Sequence, residues 1–108
     1  MIDVKALLEI VAVYEKHGWL LRRILEIDPD KHRPPGELEK FFNVPILPSS
    51  IDAAWFSRPP AGGPVAWEIR YLGERPFALL ESLDENDPNF EESLAEIEGR
   101  LQTSVAVK

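Results

Sequence analysis

Cysteine is missing from all 108 residues, which removes disulfides, thiolate metal sites and cysteine nucleophiles together. Long apolar runs are missing too. None approaches the roughly 20 residues needed to span a bilayer, so no membrane partner is expected. The opening "MIDVKALLEI" lacks the basic region, apolar stretch and cleavage site of a secretory signal. A cytoplasmic location fits these absences. Basic charge is scarce: 12 Lys and Arg stand against 19 Asp and Glu, for a net charge of −7. Nucleic-acid binding draws on Lys and Arg displacing phosphate counterions, so this balance argues against it. Arg22 and Arg23, then Lys31, His32 and Arg33, are the only basic cluster, and Glu26, Asp28 and Asp30 interrupt it.

With a 44% hydrophobic and 29% charged composition, residues 1–108 are expected to form a single globular domain. The first element reads as a helix capped by Asp3, with Val4, Leu7, Leu8, Val11 and Tyr14 at helical spacing. Ile10 and Val13 widen its apolar arc. His17 falls in the last turn, and Gly18 supplies a left-handed stop. "WLLRRILEI" is assigned to a strand over residues 19–27, and "DPDKHRPPG" to a loop. "GELEKFF" is a short helix closed by Asn43 and Pro45, after which "NVPILPSS" runs extended. Asp87 followed by Pro88 starts a last helix with the stripe Phe90, Leu94, Ile97 and Leu101. The tail "TSVAVK" is assigned to no element.

Two of the three tryptophans, Trp55 and Trp67, flank the connector "PPAGGP". "IDAAWFSR" and "VAWEIRYL" are strand-like on either side of it and form an antiparallel hairpin. Setting Ser57 opposite Val65 pairs Trp55 with Trp67, Ala53 with Ile69 and Ile51 with Tyr71 on one face. Phe56, Ala54 and Asp52 then meet Ala66, Glu68 and Arg70 on the other. The tryptophans are read as core rather than as a ligand pocket. Each would bury on the order of 200 Å², about 5 kcal/mol of transfer free energy as an upper bound. A second connector, "GERP", leads to "FALLESL": pairing Tyr71 with Phe77 puts Phe77 and Leu79 on the tryptophan face and is preferred for its larger side chains, whereas a tighter turn at Gly73-Glu74 would put Ala78 and Leu80 there.

The architecture expected is α+β: a two-layer, four-stranded, mainly antiparallel sheet with helices on one face, in the order α-β-short α-β-β-β-α.

No catalytic, cofactor or metal site is expected. His17 and His32 match no zinc spacing. "DENDPNFEE" offers oxygen donors at Asp84 and Asn86, but it lacks the glycine of a calcium loop and carries a proline. Ser50, His32 and Asp52 lack the surroundings of an activated serine. "PPAGGP" opens no helix and has no phosphate-loop lysine. Glu68 and Glu81 would make an acid–base pair only if burial separated their pKa values.

The surface singled out is the second hairpin face, Asp52, Ala54, Phe56, Glu68 and Arg70, together with Leu72 and Leu80. It is too apolar for open solvent and too charged for a core, as an interface would be. The function expected is therefore a non-catalytic interaction or regulatory domain whose protein partner is a second copy of itself, met through this second sheet face. Two alternatives stand beside it. One is a small-molecule-binding domain or enzyme with a pocket between the sheet and the first helix. The other is an acidic inhibitor or immunity-type protein presenting the glutamates of the last helix to a basic partner.

Overall fold

A computed structural model describes residues 2–29, 31, 37–59, 65–73 and 76–106. The chain is α+β, with α1 (Val4–Lys16), β1 (Leu20–Glu26), α2 (Glu37–Phe42), β2 (Ile46–Pro48), β3 (Ala53–Arg58), β4 (Val65–Tyr71), β5 (Ala78–Leu83) and α3 (Phe90–Ala106). One mixed sheet runs in the order β2-β1-β3-β4-β5. It has five strands rather than the four expected. The addition is β2, the middle of "NVPILPSS", which pairs parallel with β1 through Ile24–Ile46 and Leu25–Leu47. A three-residue strand with a proline at each end carries almost no pattern of its own.

The sheet is covered on both faces, which corrects the two-layer expectation. On one side Leu25, Ile51, Ala53, Trp55, Trp67 and Ile69 pack with Leu94, Ile97 and Leu101 of α3. On the other, Ile24, Ala54 and Phe56 pack with Ile2, Leu7 and Val11 of α1 and its N-terminus, and with Leu38 of α2. Alternation along β3 is thus buried twice over, and Ala53 through Ser57 are all inaccessible.

Local signals place the helix ends. The Asp3 carboxylate accepts from the amides of Lys5 and Ala6, satisfying two donors that the first turn leaves open. Gly18 takes φ 86°, and Asn43 closes α2 at φ 54°. α3 begins later than Asp87: the Asp87 carboxylate accepts from Asn89 within a preceding turn, and the helix continues through the unassigned tail to Ala106. The loop readings at residues 32–36, at 60–64 and at 74–75 lie outside the described residues.

The β3–β4 register is displaced from expectation by two residues. Trp55 faces Ile69, Ser57 faces Trp67 and Ala54 faces Arg70. A shift of two keeps every side chain on its expected face, because the pleat repeats every two residues. The β4–β5 register has Ile69 opposite Leu79, continuing the alignment of Tyr71 with Phe77. In β1 a bulge falls between Leu21 and Arg23. It turns both Arg22 and Arg23 toward the α3 side, where Arg22 lies over the Trp67 ring and Arg23 reaches Glu91.

Candidate functional site

The hairpin face expected to meet a partner is covered by its own chain at Ala54 and Phe56. Phe56 and Ala54 are both 0% exposed, and Tyr14 of α1 stacks on Phe56 with ring centroids 3.9 Å apart. The cross-strand pair expected between Asp52 and Arg70 does not form, because the register sets Arg70 against Ala54. The Asp52 carboxylate instead accepts from the Ile27 amide at 2.8 Å, tying the end of β1 to the start of β3. Of the surface singled out, Asp52, Ala54 and Phe56 are buried, Glu68, Arg70 and Leu72 are partly accessible, and Leu80 is exposed.

Those two residues border α1. The Tyr14 hydroxyl donates to the Glu68 carboxylate. Burial, then the hydrogen bond to Glu68 and the Glu68 charge, push the Tyr14 phenol above its ordinary range, with Arg70 opposing. Beside them lies a cavity of about 350 Å³ lined by Ala6, Glu9, Ile10, Val13, Tyr14 and Arg70. A second cavity, of about 380 Å³, opens on the other flank of α1 between Leu8, Leu20, Phe41 and their neighbours.

No family model, curated protein or solved structure matches this chain. Its chemistry rests on its own geometry.

Several charged groups near the sheet are held in structural pairs. Arg22 makes a two-pronged contact with Glu85, at 2.9 and 3.1 Å, and also donates to Ser57. Arg23 does the same with Glu91. Arg100 approaches Glu81 at 3.7 Å. On α3, Glu98 accepts from the indole of Trp55 at 2.8 Å. Two glutamates of the acidic helix, Glu91 and Glu98, thus have hydrogen-bond partners within the chain.

The weaker chemical candidates resolve into ordinary structure. Glu68 faces Leu80 and Glu81 faces Trp67, so these carboxylates project from opposite sides of the sheet and share no substrate. The Asp84 carboxylate accepts from Asn86 in the turn before α3. His17 Nδ1 lies 2.9 Å from the Val13 carbonyl, and His32 lies outside the described residues. Among the described residues no cluster of three or more potential metal ligands occurs, and no helix is long and apolar enough to cross a membrane.

Sequence reasoning missed Tyr14. Its helical spacing marked it as apolar filling, and nothing local announced that its hydroxyl would reach a carboxylate 54 residues away.

Proposed function

We propose that this chain is a non-catalytic cytoplasmic interaction domain that pairs with a second copy of itself through the free edge of β5. One observation carries the reading: β5 is an outermost strand, and its Leu80 is 59% exposed. An open edge is a row of unpaired amides and carbonyls, which proteins normally blunt with prolines, lysines or bulges. The opposite edge has that protection, since β2 is three residues long and ends in Pro48 after Pro45. In contrast, β5 reads "ALLESL": six residues with no proline or lysine and an unbroken register with β4.

Symmetry specifies the pairing. A two-fold axis perpendicular to the sheet joins two β5 strands antiparallel and keeps each face continuous. Centred on Leu80, it sets that side chain against its own copy and joins two five-stranded sheets into one. Ala78, Leu80 and Ser82 project on the α1 side of β5, and all three are exposed. The patch is small, so the association is weak and concentration-dependent.

Sedimentation equilibrium of the wild type and Leu80→Lys tests the proposal. Dimer in the wild type and monomer in the variant, with unchanged circular dichroism, supports it. A wild type that stays monomeric at high micromolar concentration ends it, as does a Leu80→Lys dimer of undiminished affinity.

A further inference from the structure

We propose that the groove between α1 and β4 is a binding site for a small monocarboxylate with a short aliphatic tail. The decisive group is Arg70. It is half-buried, and its Nη1 donates to the Tyr71 carbonyl at a long 3.3 Å. Among the described residues no carboxylate lies within 4.0 Å of it, although the chain carries 19 acidic residues. Arg22, Arg23 and Arg100 all have such a partner. Arg58 also lacks one but lies over the Trp19 ring, whereas Arg70 lines a cavity.

Its natural partner is engaged elsewhere. Glu68 stands two residues earlier on the same face of β4, but its carboxylate accepts from the Tyr14 hydroxyl. Tyr14 thereby draws Glu68 toward α1 and leaves the guanidinium fork open to the groove. Such a fork offers several N–H donors in one plane, matched to a carboxylate. Ala6, Ile10 and Val13 supply an apolar wall along α1, suited to an alkyl chain rather than to a second polar group. Glu9 lines the same groove and repels a second negative charge, which selects monocarboxylates over dicarboxylates. A volume of about 350 Å³ lies at the small end for ligand sites and accommodates a short alkyl carboxylate. This site is separate from the β5 edge and stands or falls without it.

Titration of the ¹⁵N-labelled full chain with hexanoate, adipate or hexylammonium, followed by amide chemical shifts, is the test. Saturable shifts from hexanoate centred on α1 and Arg70 are expected, with none from hexylammonium and weaker ones from adipate. Arg70→Gln should weaken hexanoate at least tenfold while leaving the remaining spectrum in place, and Glu9→Gln should narrow the gap between hexanoate and adipate. Arg70→Lys keeps the charge but loses the fork and should fall between wild type and Arg70→Gln. No saturable shift at tens of millimolar hexanoate overturns the assignment. So does equal binding of hexanoate and hexylammonium, or undiminished hexanoate binding by a folded Arg70→Gln chain.

Discussion

Trp55 and Trp67 meet edge to face, with ring centroids 6.1 Å apart and planes at 74°, although neither stands opposite the other in the sheet. Their contact is diagonal across the β3–β4 pair, and Phe90 of α3 completes the cluster with its ring 5.1 Å from Trp67. The two indoles differ in one respect. The Trp55 N–H has the Glu98 carboxylate as acceptor, whereas the buried Trp67 N–H has none.

That difference makes the two phenylalanine substitutions unequal. Trp55→Phe strips Glu98 of its donor, while Trp67→Phe removes a polar group that was already unsatisfied. We expect Trp55→Phe to be more destabilising by about 1 kcal/mol or more in denaturant unfolding. Equal losses would show that the indole–carboxylate bond contributes nothing net. Trp67→Ala, which opens a cavity under α3, should cost about 3–5 kcal/mol.

Phe56 lies beneath Tyr14, so Phe56→Lys puts a charge under α1 rather than on a free surface. Such a substitution should cost more than about 4 kcal/mol and yield unfolded or molten chain. Circular dichroism and thermal unfolding will read this directly. A folded, stable Phe56→Lys variant would mean that α1 is readily displaced from the sheet.

Gly18 sits at φ 86°, and a Cβ added there meets only the Arg58 side chain at 3.7 Å, an ordinary contact. Backbone strain, not crowding, therefore sets the cost of Gly18→Ala. About 1 kcal/mol is expected, measured as a fall in denaturant midpoint with unchanged slope. Gly18→Asn should recover part of it, because asparagine tolerates this conformation.

Glu85 and Glu91 are held below the ordinary carboxylate value of 4.5, in each case mainly by the hydrogen bond from Arg22 or Arg23. A lowered folded-state pKa stabilises the chain above the unfolded value and is lost as pH falls through the folded one. Both glutamates are well exposed, so each pair contributes less than about 1 kcal/mol and is screened by salt. Glu91→Gln should therefore lower stability slightly near neutral pH and have no effect in strong acid or high salt. A gap that persists in acid would point to lost packing instead.

The Tyr14 phenol is displaced upward, so its sign is opposite for base. Its contribution is complete below the usual tyrosine value and lost as pH rises through the higher folded value. A difference spectrum between wild type and Tyr14→Phe near 295 nm should show no phenolate from Tyr14 while the usual value of about 10 is passed. Ionisation at the usual value would show that Tyr14 is neither buried against the sheet nor bonded to Glu68 in solution.

Much of this molecule is written locally. The Asp3 cap, the left-handed Gly18 and the "GELEKFF" helix each depend on a few neighbouring residues, and each appears where the sequence puts it. The pleat is equally local: its period of two assigns Trp55, Trp67 and Ile69 to one face and Phe56, Glu68 and Arg70 to the other, whatever the partner strand. Register is not local in this sense. A slip of two residues preserves both faces, so the pattern could not distinguish Trp55 opposite Trp67 from Trp55 opposite Ile69, and only the folded chain shows the second. Nor could periodicity say on which side of the sheet a helix would lie. α1 and α3 both carry apolar stripes, and only the folded chain shows one stacking Tyr14 on Phe56 while the other brings Phe90 to Trp67. The candidate site follows the same division: Arg70 and its face were legible in the strand, but the Tyr14 bond that occupies Glu68 and the groove beside it exist only once α1 has docked, because they join groups far apart in the chain.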